Sequence, residues 1–205
     1  MLVDRSVRDF LEELASRAPV PGGGSVAALS AGLASALTEM VANLTVGRKG
    51  FKEVEEEMKQ ITQEASEYRE KFLKDIDKDA EAFSKVMNAF KLPKNTPEEI
   101  DKRKQVIQEE FKNAALIPLE VAKDVVKLME FISKIVEKGN KNAISDGAVA
   151  ATMARASVLG ALYNVKINLQ SIKDEDFVSR ISKKIHEFES KSIEEEKKIL
   201  SKVGF

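Results

Sequence analysis

With no cysteine and a single histidine among 205 residues, acid–base chemistry in this chain falls to carboxylates and lysines. Disulfides and thiolate metal sites are excluded, no nucleophile–base pair is evident, and no metal site is expected. His186, between Ile185 and Glu187 on a charged stretch, reads as solvated. Two aspartates stand out. Asp79 interrupts an apolar stripe, three residues after Ile76 and four before Phe83. A carboxylate there is paired, ligand-facing, at a helix break, or at a helix edge where Ala80 packs instead. Asp146 follows Asn140 and Asn142 at a helix entrance beside Gly147, as an acid–base group or as an N-cap. Asn43, Asn140, Asn142, Asn164 and Asn168 can hydrogen-bond a heteroaromatic ring, with capping and solvation as alternatives. Arg48 and Lys49 can hold a carboxylate or form a solvated helix end.

The element that must position such groups is Pro19-Val20-Pro21-Gly22-Gly23-Gly24-Ser25. Two prolines fix the approach, three glycines allow backbone paths closed to other residues, and Ser25 is placed to cap the helix that follows. The N–H groups of such a helix start favour an anion, although a plain inter-helix turn has the same composition. The spacing is neither a dinucleotide fingerprint nor a P-loop.

Helical periodicity predicts all-α architecture: an up-and-down bundle of long helices in a single domain, 1–205. A short amphipathic helix is expected over 4–17. Over 25–46, Ser25, Ala28, Gly32, Ala36, Glu39 and Asn43 share a thin face, and Leu29, Leu33, Leu37, Met40 and Leu44 form the side expected to face the core. Gly47 is the expected C-cap. The stretch 51–91 is one long helix or a broken pair, with its stripe running from Val54 through Met58, Ile61, Ala65, Tyr68, Phe72, Ile76, Phe83 and Met87 to Phe90. Thr96, Pro97 and Glu99 start a helix running to Lys138, which Pro118 is expected to kink or split. Ser145 or Asp146 caps the next helix, to about Leu169, and the last spans roughly 174–203. Gly24-Ser25-Val26-Ala27-Ala28 is echoed by Gly147-Ala148-Val149-Ala150-Ala151, which suggests two thin helices side by side with both N-termini at one slot. The 33 basic and 34 acidic residues give a net charge of −1, which offers nothing to nucleic acid. Asp4, Arg5, Arg8 and Asp9 precede any apolar run, so no signal peptide is expected. Glu39 and Asn43 break the longest apolar segment, so no membrane span is expected. A cytoplasmic protein is the expectation.

The blocks Ala18 to Ala28, Met40-Val41-Ala42-Asn43-Leu44-Thr45-Val46-Gly47-Arg48-Lys49, Asp79-Ala80-Glu81-Ala82-Phe83, Leu92-Pro93-Lys94 and Gly139-Asn140-Lys141-Asn142-Ala143-Ile144-Ser145-Asp146 occur in this order. Together they resemble the formiminotetrahydrofolate cyclodeaminase / methenyltetrahydrofolate cyclohydrolase family over nearly the whole chain. The resemblance implies an all-helical homodimeric enzyme acting on a tetrahydrofolate derivative, with no metal or redox cofactor beyond that substrate. Cyclodeaminase activity is favoured, closing 5-formiminotetrahydrofolate to 5,10-methenyltetrahydrofolate with release of ammonia. Cyclohydrolase activity is the alternative, and a non-catalytic folate-binding or interaction protein a further one. On this reading Asp146 transfers protons, and Asp79 stabilises charge or contacts the pterin. Pro21, Gly22, Gly23, Gly24, Ser25, Asn43, Asn140 and Asn142 bind substrate, with Arg48 and Lys49 near the glutamate tail.

Overall fold

Six α-helices form where the periodicity predicts them, and among the described residues, 1–204 of this computed structural model, there is no strand. They are α1 (Val7–Leu14), α2 (Gly23–Asn43), α3 (Glu55–Ala89), α4 (Pro97–Lys138), α5 (Ile144–Leu169) and α6 (Glu175–Leu200). Side-chain caps set several starts. Ser6 accepts from the Asp9 N–H, Thr96 from that of Glu99 with Pro97 at the first turn, and Asp174 from that of Phe177. Two caps differ from expectation. α2 begins at Gly23 with Gly22 as an extended N-cap, because the Ser25 hydroxyl is drawn into contacts with α3. α5 begins at Ile144 after a 3-10 turn, so Asp146 lies in its first turn and caps nothing. α3 is one unbroken helix. α4 likewise continues through Pro118 instead of splitting.

Helices α2 to α5 run alternately up and down. Along α2 and α5, Gly23 lies against Asn164, the Ala27 carbonyl accepts from Ser157 Oγ at 2.7 Å, and Thr45 Oγ1 accepts from the Asn140 N–H at 2.9 Å. The start of one helix therefore meets the end of the other. α2 also lies antiparallel to α3, with Ser35 Oγ donating to the Ala65 carbonyl at 2.6 Å. α6 covers α4 and α5 with Ile181, Ile185 and Ile199.

The expected orientation of α2 holds only in part: Leu29 and Leu37 are half-buried against the core, but most of the burial falls elsewhere on the helix. Its small residues are the core: Ala27, Ala28, Ala31, Ala34 and Ala42 are at most 4% exposed, whereas Leu33, Met40 and Leu44 are 49%, 37% and 46% exposed. Small side chains let backbones close on one another until dispersion contacts are complete, and α2 is held between α3 and α5 in that way. By length and composition alone, α2 and the segment Lys141–Leu169 could cross a membrane, with mean hydropathies of 1.4 and 1.2. Here their alanine faces are packed inside the bundle.

Candidate active site

Pro19 to Gly22, with a cis Val20–Pro21 peptide bond, bring the chain into α2. Gly24 is forced by close approach. A Cβ there would lie 2.0 Å from Asp79 Oδ1, well inside any carbon–oxygen contact. The Asp79 carboxylate thus rests directly on the first turn of α2. Its Oδ2 accepts from the Ser25 hydroxyl at 3.1 Å, and the Ser25 backbone N–H donates to it as well. The same hydroxyl also reaches the Ile76 carbonyl at 3.2 Å. The anion favoured at this helix start is therefore supplied by the protein itself. Burial raises the Asp79 pKa, and the two Ser25 donors oppose it without cancelling it. The carboxyl group is thus poised to hold and pass on a proton.

Asp79 opens into a groove of about 460 Å³, a size suited to a small organic ligand. Gly22, Gly23 and Gly24 form one end. Along α3 the wall continues through Phe83, Met87 and Phe90, which are 40%, 43% and 44% exposed. Phe111 and Ala114 of α4 face them, with Phe90 and Phe111 edge-to-face at 6.1 Å. Past Asp79 the buried side of α3 moves to Ala82, Val86 and Ala89, leaving the aromatic residues for the groove. Sequence reasoning took Phe83, Met87 and Phe90 as core. The available signal was the second lane of Ala82, Val86 and Ala89 beside them, since two apolar lanes are too wide for one buried face.

The third wall is α5, where two amides are held in fixed orientation. Asn164 Nδ2 donates to the Gly160 carbonyl at 2.9 Å. Asn168 Nδ2 donates to the Asn164 carbonyl at 2.9 Å and to the Ala114 carbonyl at 3.2 Å. The last of these contacts has a specific origin. Residue 118 would normally donate to the Ala114 carbonyl, but Pro118 has no N–H, and Asn168 takes its place.

The remaining sequence-predicted residues gather elsewhere. Asn43, Arg48, Lys49, Asn140, Asn142 and Asp146 lie where α2 ends and α5 begins, about 30 Å along α2 from Gly24. Within this chain the structure does not bring Asp146 and Asp79 together, and no slot joins the two N-termini, because antiparallel neighbours put their starts at opposite ends. Asn140 is a structural tie: its Nδ2 donates to the Leu44 carbonyl at 3.1 Å, and its Oδ1 accepts from the Asn142 N–H at 3.1 Å. Asn43 Oδ1 accepts from Thr62 Oγ1 at 3.2 Å. Arg48, Lys49 and Asn142 are exposed. α2 ends at Asn43 with Leu44 as its C-cap, not the expected Gly47, which takes a left-handed φ of +70° in the turn beyond. Gly147 admits Val136 of α4, since a Cβ would stand 2.7 Å from its side chain. The echo of Gly24 is therefore a packing feature.

Residues 6–187 match the family described as formiminotransferase-cyclodeaminase. The chain is 40% identical over 188 residues to a methenyltetrahydrofolate cyclohydrolase of Methylorubrum extorquens, covering 90% of this chain and 89% of that one. It is 38% identical over 184 residues to the rat formimidoyltransferase-cyclodeaminase, of which it spans only 34%. A crystal structure of formiminotetrahydrofolate cyclodeaminase from Thermotoga maritima superimposes with a TM-score of 0.89 at 34% identity, covering 99% of this chain and 98% of that one.

Proposed function

We propose that this chain, which belongs to the formiminotransferase-cyclodeaminase family, is a folate one-carbon enzyme that closes 5-formiminotetrahydrofolate to 5,10-methenyltetrahydrofolate and releases ammonia. The observation that carries the reading is Asp79, a half-buried carboxyl group of raised pKa at the polar end of an aromatic groove. Folate has the matching form: a flat polar pteridine followed by an apolar ring. Asp79 is assigned the proton transfers. Protonated Asp79 gives its proton to the imino nitrogen, and the nitrogen 10 lone pair attacks the formimino carbon. The proton on nitrogen 10 passes to Asp79, which returns it to the exocyclic amine. The carbon–nitrogen bond then breaks, ammonia leaves, and the cationic methenyl bridge forms beside an ionised Asp79. The groove walls hold nitrogen 10 against the carbon, which is the larger part of such a ring closure. The chemistry calls on no cofactor beyond the folate substrate.

Cyclohydrolase activity is the second reading, favoured by the Methylorubrum relative, which matches the chain over nearly its own full length. In that reaction Asp79 would take a proton from the water adding to the methenyl carbon. Following methenyl absorbance with the formimino and methenyl substrates tests both. Growth of the signal from the formimino substrate is expected, and no reaction with either would overturn the folate assignment.

A cytoplasmic homodimer completes the reading. Leu33, Met40 and Leu44 of α2 and Val149, Tyr163 and Ile167 of α5 are exposed, more outward apolar area than scattered single residues account for. A two-fold axis across this antiparallel pair would set the Asp146 end of one protomer over the Gly24 end of the other. Arg48, Lys49 and Asp146 would then serve the groove of the partner.

A further inference from the structure

Two amides on the α5 wall of the groove are held in one sense. Asn164 and Asn168 both line it, and every protein contact of their Nδ2 groups is with a backbone carbonyl: Gly160 for Asn164, and Asn164 and Ala114 for Asn168. A carbonyl cannot receive a bond from an amide oxygen, so neither side chain can turn over without losing its anchors. Neither Oδ1 is bonded by a protein donor among the described residues. Gly23 leaves room for Asn164, since a Cβ there would stand 3.1 Å from its Nδ2. Across the groove Asp79 adds a carboxyl group held by Ser25. The α5 wall therefore presents acceptors held without reorganisation. A ligand offering acceptors of its own would leave them unpaired, and a ligand edge of N–H donors would satisfy them.

We infer that Asn164 and Asn168 are specificity residues that read the N–H donor edge of the pteridine, the 2-amino group and the adjacent ring N–H, through their Oδ1 atoms. This rests on the folate reading above and adds which edge of the ligand meets which wall. Such a site rejects a ligand lacking the donor far more strongly than an apolar pocket rejects a change of size.

The test compares each 2-amino compound with its 2-desamino analogue on the wild-type protein: 5,10-methenyltetrahydrofolate, the product, by calorimetry, and 5-formiminotetrahydrofolate, the substrate, by initial rates. Wild type is expected to favour the 2-amino compound at least tenfold in Kd and KM. Asn164→Leu is expected to raise KM for the 2-amino compound at least tenfold, change kcat far less, and bring the preference to within twofold. Equal affinity of wild type for the two ligands overturns the inference while leaving the folate reading intact. So does a folded Asn164→Leu protein that keeps the preference. Failure of wild type to bind or turn over either ligand overturns the folate reading itself. The two-ligand comparison needs no variant, so it decides the matter even if Asn164→Leu does not fold.

Discussion

Replacing Gly24 by alanine should reveal how tightly the glycine turn and Asp79 are bound to one another. The new Cβ would stand 2.0, 2.4 and 2.6 Å from Oδ1, Cγ and Oδ2 of Asp79. Ordinary carbon–oxygen contact begins at about 3.3 Å, so the carboxylate must withdraw by more than 1 Å. That movement breaks its bonds to the Ser25 hydroxyl and N–H. Hydrogen bonds to a charged group are worth about 1.5–3 kcal/mol each, part of which water in the groove restores. Alanine in place of glycine returns about 0.5–1 kcal/mol of helix preference. The net expectation is a loss of about 2 kcal/mol, and at least a hundredfold loss of turnover through displacement of the carboxyl group. In an Asp79→Ala background the three nearest atoms are gone, and the same substitution should become neutral or stabilising. Urea unfolding at fixed protein concentration measures both arms. For a chain of this size the wild-type background should lose about 1 M in midpoint, with m unchanged. The pair should show a coupling of about 2 kcal/mol. If Gly24→Ala were tolerated equally in both backgrounds, the contact between turn and carboxylate would not be what fixes this end of the site.

Other consequences can be measured directly. Asp79→Asn keeps an acceptor for Ser25 but cannot transfer protons, so kcat should fall by about 10²–10⁴ with the fold retained. Because burial raises the Asp79 pKa above its usual 3.8, the folded protein holds this proton more tightly than the unfolded chain. Its contribution to stability is complete below the unfolded value and is lost as pH rises through the folded one. Wild type should accordingly lose stability relative to Asp79→Asn as pH climbs through that window, and parallel Tm-versus-pH curves would contradict this. Asn140→Ala removes the tie between the end of α2 and the start of α5, costing about 2 kcal/mol and lowering Tm by roughly 4–8 °C. Leu33→Arg with Met40→Arg places charge on the outward apolar face of α2 and should convert a dimer to monomer in sedimentation. Identical sedimentation of variant and wild type would refute an interface there.

Helix positions were legible because apolar spacing and caps such as Thr96 and Asp174 are local properties. The face of α2 that becomes core was not. Hydrophobicity alone favours Leu33 and Met40, but burial goes to whichever face lets neighbouring backbones fit most closely, and that depends on the shapes of α3 and α5. Asp79 was legible as an anomaly in its stripe. Its seat on the first turn of α2 was not, since nothing around residue 79 encodes a partner 54 residues away. The echo between Gly24 and Gly147 suggested adjacent N-termini. Three direction reversals between α2 and α5 require the opposite, and counting the turns would have shown it. Asn164 and Asn168 were visible as amides, but part of what orients Asn168 is a hydrogen bond missing from another helix.

Pro118 carries a lesson for anyone wishing to make this protein more robust. A proline in the middle of a 42-residue helix invites replacement by alanine as routine stabilisation. The new N–H would then compete for one of the two carbonyls that anchor Asn168, leaving that amide held only by the Asn164 carbonyl. The engineered protein could melt later and yet discriminate worse, with the cause hidden in a residue that was never mutated.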